Sequence, residues 1–221
     1  MTSASPHRFI VIEGPIGVGK TSLARRLGET LSAQLVLEQA DQNPFLERFY
    51  RNPRAAAFQA QLFFLFQRAR QLEEVRQQDL FESVRVADYL LEKDQLFARV
   101  TLDEAEYGLY EKVYGRVVVD APRPDLVVYL QAPLDVLMER IARRGIRHEQ
   151  YLERGYLEKV MQAYARFFHN YDGAPLLIVN AAAIDPVNSD EDYQVLLQEI
   201  LKPRRGRHFF NPPGRSLLAG N

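Results

Sequence analysis

Eight consecutive residues, Gly14-Pro15-Ile16-Gly17-Val18-Gly19-Lys20-Thr21, fit the spacing GxxxxGK[ST]. Glycines let a backbone fold so tightly that several N–H groups face one phosphate oxyanion, and a following helix adds the positive end of its dipole. In such a loop the lysine reaches the β- and γ-phosphates and the hydroxyl ligates Mg²⁺. Those roles fall here to Lys20 and Thr21. The spacing carries weight only between a strand and a helix. Phe9-Ile10-Val11-Ile12 is an apolar run too short for a helix and reads as a buried strand, while Leu23, Leu27 and Leu31 recur behind the loop at helical spacing. The expectation is a site for a nucleoside triphosphate with magnesium. No NKxD sequence is present, so the loop is not that of a guanine-reading GTPase.

Carboxylates that serve such a loop belong at strand ends, because ligands of parallel α/β sheets collect at the carboxyl edge. Leu35-Val36-Leu37 reads as a second strand ending at Glu38, and Val84-Arg85-Val86-Ala87 as a third ending at Asp88. Val117-Val118-Val119-Asp120 also imitates a strand ending in a magnesium-side carboxylate. It continues the helical spacing of Leu109 and Val113, however, and Asp88 is the better placed of the two. Phe58, Leu62, Leu65, Ala69 and Leu72 mark a helix over about 55–76. Its block Leu62–Phe66 is apolar all round, which implies burial on most sides. Gln61 and Arg68 are two turns apart on this helix and share a face, so both need polar partners there. Arg140 and Arg144 share a face of a later helix, and Arg143 and Arg147 enlarge the cluster. Guanidinium groups on a closing segment suit neutralisation of a transferring phosphoryl group.

The remaining elements frame these residues. Helices are expected over about 102–118, from Pro133 to Arg144 with a stop at Gly145, over about 156–171, and over about 190–201. Strands are expected at Leu126–Leu130 and Leu176–Val179. Strands alternating with helices imply an α/β fold, a five-stranded parallel sheet with helices on both faces. One domain is expected over 1–202, with 203–221 as a basic tail rich in Pro and Gly.

The chain has 221 residues, 28 Lys and Arg, 29 Asp and Glu, and no cysteine. The cysteine count excludes a disulfide scaffold, zinc–thiolate sites and thiol catalysis. Residues 202–221 carry five basic and no acidic residues, which leaves 23 basic and 29 acidic residues elsewhere, a net −6. Nucleic-acid binding over the whole surface does not fit that balance. The longest apolar runs are about five residues, far below the ~18 of a membrane span, and residues 1–8 lack the apolar stretch of a signal peptide. These absences set the expectation of a cytoplasmic protein.

With these residues in place the sequence resembles the deoxynucleoside kinase family, and within it the bacterial deoxyadenosine/deoxyguanosine kinase branch. The resemblance runs from about Phe9 to Leu201. It is carried by Ile12-Glu13-Gly14-Pro15-Ile16-Gly17, by the run from Asp41 to Tyr50, by the helix Phe58–Leu72, by Pro124–Leu130, and by an arginine-rich lid at Arg140–Glu149. It implies transfer of the γ-phosphoryl group of ATP to the 5′-hydroxyl of a deoxynucleoside in nucleotide salvage, with Mg²⁺. Glu38 then takes the position of the general base, where a carboxylate accepts the hydroxyl proton. A nucleobase edge supplies the partners of Gln61 and Arg68, and Asp94 anchors Arg68. Tyr50 and Glu149 match the family's ligands of the sugar 3′-hydroxyl. Asp88, Lys20, Arg140 and Arg144 complete the machinery, and resemblance to family dimers suggests pairing through the helix at 55–76. Arg68 offers only donors and suits the N7 and O6 acceptors of a purine, which favours deoxyadenosine and deoxyguanosine. The alternative is an Arg68 turned toward Glu73 or Glu74.

The chain departs from the family in two places. After the third strand the family commonly carries an acid, Arg, then Ser or Thr; here the triplet is Asp88-Tyr89-Leu90, so the arginine that helps hold the 5′-hydroxyl is absent. After Gly145, Ile146 precedes Arg147, which alters the lid register. A nucleoside monophosphate kinase of thymidylate-kinase type, or a non-catalytic member of the fold, remains as an alternative.

Overall fold

The structure is a computed structural model that describes residues 5–77, 83–118 and 122–212. Among these, β1 (Phe9–Glu13), β2 (Gln34–Val36), β3 (Arg85–Ala87), β4 (Leu126–Gln131), β5 (Leu176–Asn180) and β6 (Arg207–Phe210) form one parallel sheet in the order β2-β3-β1-β4-β5-β6. The helices are α1 (Lys20–Leu31), α2 (Leu46–Arg51), α3 (Pro53–Gln77), α4 (Lys93–Thr101), α5 (Glu104–Val117), α6 (Leu134–Arg144), α7 (Arg154–Asn170) and α8 (Asp190–Ile200). No helix among the described residues is long and apolar enough to cross a membrane.

The apolar runs became strands because both faces of the sheet are covered. In β1, Ile10 and Ile12 pack on one face with Leu23 of α1, Leu137 of α6 and Leu196 of α8. Phe9 and Val11 pack on the other with Leu72 of α3, Leu96 of α4 and Phe168 of α7. This is the period-two alternation of a strand buried on both sides.

The expected sheet of five strands is corrected to six. The sixth strand comes from within the segment read as a tail. Three of its four residues are exposed, Phe209 by 75%, so its pattern carries no burial signal. It forms because β5 offers an unpaired edge, with Leu176 to Val179 in register with Arg207 to Phe210. Arg207 also donates from Nη2 to Phe168 O and His169 O, each at 2.8 Å, and so covers carbonyls at the end of α7.

α4 had no counterpart in the expected elements, and the helix expected over about 102–118 is α5. Asp103 caps α5 by a capping box with Glu106. Asp120 lies outside the described residues. On α3 the buried positions Ala57, Gln61, Leu65, Arg68, Leu72 and Val75 form one stripe, while Phe66 is 53% exposed, so the chain's own fold does not cover this helix all round.

Candidate active site

The chain leaves β1 at Gly14, whose φ of +148° is open to glycine alone, and an added Cβ would stand 2.5 Å from Leu130 O of β4. At Gly17 (φ +85°) a Cβ would meet Ile141 of α6 at 2.7 Å. The loop is therefore wedged between β4 and the helix that carries the lid arginines. Glu13, fully buried, braces it from below: Oε2 accepts from Gly14 N at 2.6 Å and from the Tyr164 hydroxyl at 2.9 Å, and Oε1 accepts from Leu90 N at 3.0 Å. Lys20 Nζ curls back onto Gly14 O at 2.7 Å and Pro15 O at 3.2 Å. Burial, and after it the charge of Lys93, lowers the Lys20 ammonium to about 8.

The ends of β2 and β3 meet in front of the loop. The Thr21 hydroxyl donates to Asp88 Oδ2, and Asp88 Oδ1 accepts from Glu38 N at 2.7 Å. Glu38 turns its carboxylate toward two cations. Arg68 donates to Oε1 from Nε at 2.9 Å and also from Nη2, while Lys93 Nζ lies 3.1 Å from Oε2 and 3.0 Å from Oε1. Burial pushes the Glu38 carboxyl up, but Arg68 and then Lys93 outweigh it and hold it well below the usual carboxylate range. Arg68 is fixed from behind by Asp94, which accepts from Nη1, and from the side by the Phe64 ring at 4.8 Å. Asp94 is wholly buried, and that burial pushes its carboxyl up to about 6 against the pull of Arg68.

Lys20, Thr21, Glu38, Tyr50, Gln61, Arg68, Asp88, Arg144 and Glu149 all line one cavity of about 420 Å³, within the range of small-ligand sites. Gln61 is 3% exposed and its Oε1 has no hydrogen-bond partner. An orphaned acceptor on the wall of a cavity marks a place where a ligand donor fits. At the far side Glu149 accepts from Arg144 Nε at 3.1 Å and again from Nη2, and the His148 ring stacks on Tyr50 at 5.9 Å and 5°. Burial, then Glu149, raises the Tyr50 hydroxyl above its ordinary range, so it stays a donor.

Outside the phosphate loop, two expected site residues stand apart from the cavity wall. Asp94 is behind Arg68 and reaches the cavity only through it. Arg140 has other partners than Arg144, donating to Ala181 O at 2.9 Å and Val18 O at 3.4 Å. Arg143 and Arg147 are exposed. Arg68 is turned inward rather than toward Glu73 or Glu74. Three residues escaped the sequence reading: Lys93, Glu13 and Tyr164. The run Glu92-Lys93-Asp94 looks like a solvated face of alternating charge, yet Lys93 and Asp94 are both buried. The available signal was position, since Lys93 lies four residues after Tyr89, where α4 begins.

Comparison with known proteins agrees with this geometry. The family model Deoxynucleoside kinase matches residues 10–203. Deoxyguanosine kinase of Bacillus subtilis (strain 168) is 38% identical over 157 residues, covering 71% of this chain and 76% of the relative. Deoxyadenosine kinase of Lactobacillus acidophilus is 29% identical over 207 residues, covering 87% and 94%. Among solved structures, deoxyadenosine kinase from M. mycoides with bound dATP superposes with a TM-score of 0.77 at 25% identity, over 89% of this chain and 100% of that one. From the phosphate loop through the last helix, this chain belongs to the deoxynucleoside kinase family.

Proposed function

We propose that this enzyme transfers the γ-phosphoryl group of ATP to the 5′-hydroxyl of a purine deoxynucleoside, as a step of nucleotide salvage. Phosphorylation of a deoxynucleoside is the activity of its family, and the relatives named above are purine deoxynucleoside kinases by name. The observation that carries the finer reading is the single cavity in which the phosphate-loop Lys20, the Glu38 carboxylate and the orphaned Gln61 Oε1 all open.

In this reading the triphosphate lies on the loop from Gly14 to Thr21, and Lys20 releases the Gly14 and Pro15 carbonyls to meet it. Gln61 Oε1 accepts from the base, and the free N–H groups of Arg68 face purine N7 or O6. Tyr50 and Glu149 hold the sugar 3′-hydroxyl. The 5′-hydroxyl then points at Glu38, which takes its proton. Arg68 and Lys93 make Glu38 a weak base, but a loose phosphoryl-transfer transition state asks for proton acceptance only late. Arg144 is the lid cation closest to the transferring group. Arg140 braces the phosphate loop through Val18 O.

Thr21 and Asp88 present a hydroxyl and a carboxylate side by side, which fits Mg²⁺ held mainly by phosphate oxygens and water. These two residues would hold the ion, which neutralises charge on the β- and γ-phosphates.

A thermal-shift and calorimetric screen tests the reading. The expected result is stabilisation by MgATP and by deoxyadenosine and deoxyguanosine. Binding of deoxynucleoside monophosphates more tightly than any deoxynucleoside would favour a monophosphate kinase instead.

A further inference from the structure

Lys93 is a buried cation, 3% exposed, on the first turn of α4. It lines the cavity together with Lys20, Glu38 and Asp88. A buried ammonium needs a partner, and its partner is Glu38. The two Glu38 oxygens differ. Oε1 is taken by Arg68, which Asp94 and the Phe64 ring hold in place. Lys93 Nζ stands between the two, 3.0 Å from Oε1 and 3.1 Å from Oε2, so Oε2 is the oxygen that Arg68 leaves open. A hydroxyl arriving at Glu38 therefore meets Oε2, with Lys93 as the cation beside it. Its flexible stem lets the ammonium move, since it lies 5.9 Å from the ring centres of both Tyr89 and Phe97 rather than in a rigid fork.

A second observation points the same way. Lys20 of the phosphate loop and Lys93 line the same cavity, so a polyanion seated on the loop has both ammonium groups around it. Tyr89 stands where the resemblance leads one to expect an arginine, and a cation arrives instead from Lys93, four residues further along at the start of α4.

We propose that Lys93 is a catalytic residue whose ammonium contacts the acceptor oxygen and the phosphoryl group as it transfers. A lone pair of the acceptor 5′-oxygen forms the bond to the γ-phosphorus. The bond from that phosphorus to the β–γ bridging oxygen breaks, and its electron pair leaves with the nucleoside diphosphate. The hydroxyl proton passes to Glu38 Oε2. Lys93 exchanges no proton; it leaves Oε2 as that oxygen is neutralised and pairs with the equatorial phosphoryl oxygens. The proposal rests on Glu38 as the proton acceptor.

The test compares Lys93→Met, Lys93→Gln and Lys93→Arg with wild type by steady-state kinetics with MgATP and deoxyguanosine, alongside calorimetric binding of deoxyguanosine alone. The expected result is a fall in kcat of ~10²–10³ in the Met and Gln variants, with deoxynucleoside affinity within about threefold and kcat restored to within about tenfold by Arg. Should the Met variant not fold, the Gln and Arg variants carry the same contrast. A Met or Gln variant within tenfold of the wild-type kcat would overturn the proposal. So would a loss confined to KM, or an Arg variant as slow as Gln. Wild type inert toward all deoxynucleosides would count against the assigned reaction; active wild type with unaffected variants counts against Lys93 alone.

Discussion

Arg68 Nε lies 2.9 Å from Glu38 Oε1, so the guanidinium proposed above to read the base also grips the carboxylate proposed to take the 5′-hydroxyl proton. In the proposed function, base selection and proton acceptance are thereby held by one charge pair, anchored from behind by Asp94. A base that draws on the Arg68 donors changes the field at Glu38, some of which depends on the same side chain.

That coupling predicts the behaviour of Arg68→Met. Removing the guanidinium leaves Glu38 with Lys93 alone and Asp94 without its ion pair. Breaking a buried pair by deleting one partner costs about 3–5 kcal/mol, and the thermal unfolding midpoint should fall accordingly. The ranking of kcat/KM among the four deoxynucleosides should also change, with purines losing most. An unchanged ranking in a folded variant would show that Arg68 does not read the base.

Glu38→Gln preserves shape and one acceptor oxygen, turns the other acceptor into an NH2 donor beside Arg68 and Lys93, and removes proton affinity. If Glu38 accepts the hydroxyl proton, kcat falls by ~10²–10⁴ while the deoxynucleoside KM stays nearly constant. A fall of less than tenfold would assign the proton to another acceptor.

The Lys20 ammonium, lowered to about 8 by burial and then by Lys93, sets a pH dependence of nucleotide binding. The charged form binds the triphosphate, and below pH 8 it is already present in the empty protein. Above pH 8 a proton must be taken up on binding, so ATP affinity should weaken by up to about tenfold per pH unit until the pKa of the complex is reached. Calorimetric titrations between pH 7 and 9.5 measure this. Constant affinity across that range would mean that Lys20 does not lose its charge there.

The sequence made β1, β4 and β5 legible because each is buried on both faces and reads as an uninterrupted apolar run, while β3, which carries Arg85, and the mostly exposed edge strand β2 were marked by shorter runs that end at a carboxylate. The phosphate loop was legible because its glycines answer to backbone demands that no other residue meets, as the contact of Gly14 with Leu130 O shows. β6 was hidden because an edge strand needs only backbone pairing, and Arg207, His208 and Phe209 are exposed. α4 was hidden for the opposite reason: its buried face carries Lys93 and Asp94 beside Leu96 and Ala98, which scrambles the apolar period. In the site, the positions of Glu38, Asp88, Gln61 and Arg68 followed from strand ends and helix spacing. The Arg68–Asp94 pair was expected from the resemblance and is present; the Lys93–Glu38 pair was not, because the two residues are 55 apart and meet only through the packing of α4 against α3.

The central claim, a purine deoxynucleoside kinase built on this cavity, is tested most directly by kcat/KM of the purified chain with MgATP for deoxyadenosine, deoxyguanosine, deoxycytidine and thymidine, with the product identified. The account predicts 5′-monophosphates, the two purines ahead of deoxycytidine and thymidine last, because the Arg68 donors suit N7 and O6 and the thymine methyl would press on the guanidinium. Thymidine turned over as well as or better than both purines, or no 5′-monophosphate formed from any of the four, would contradict it.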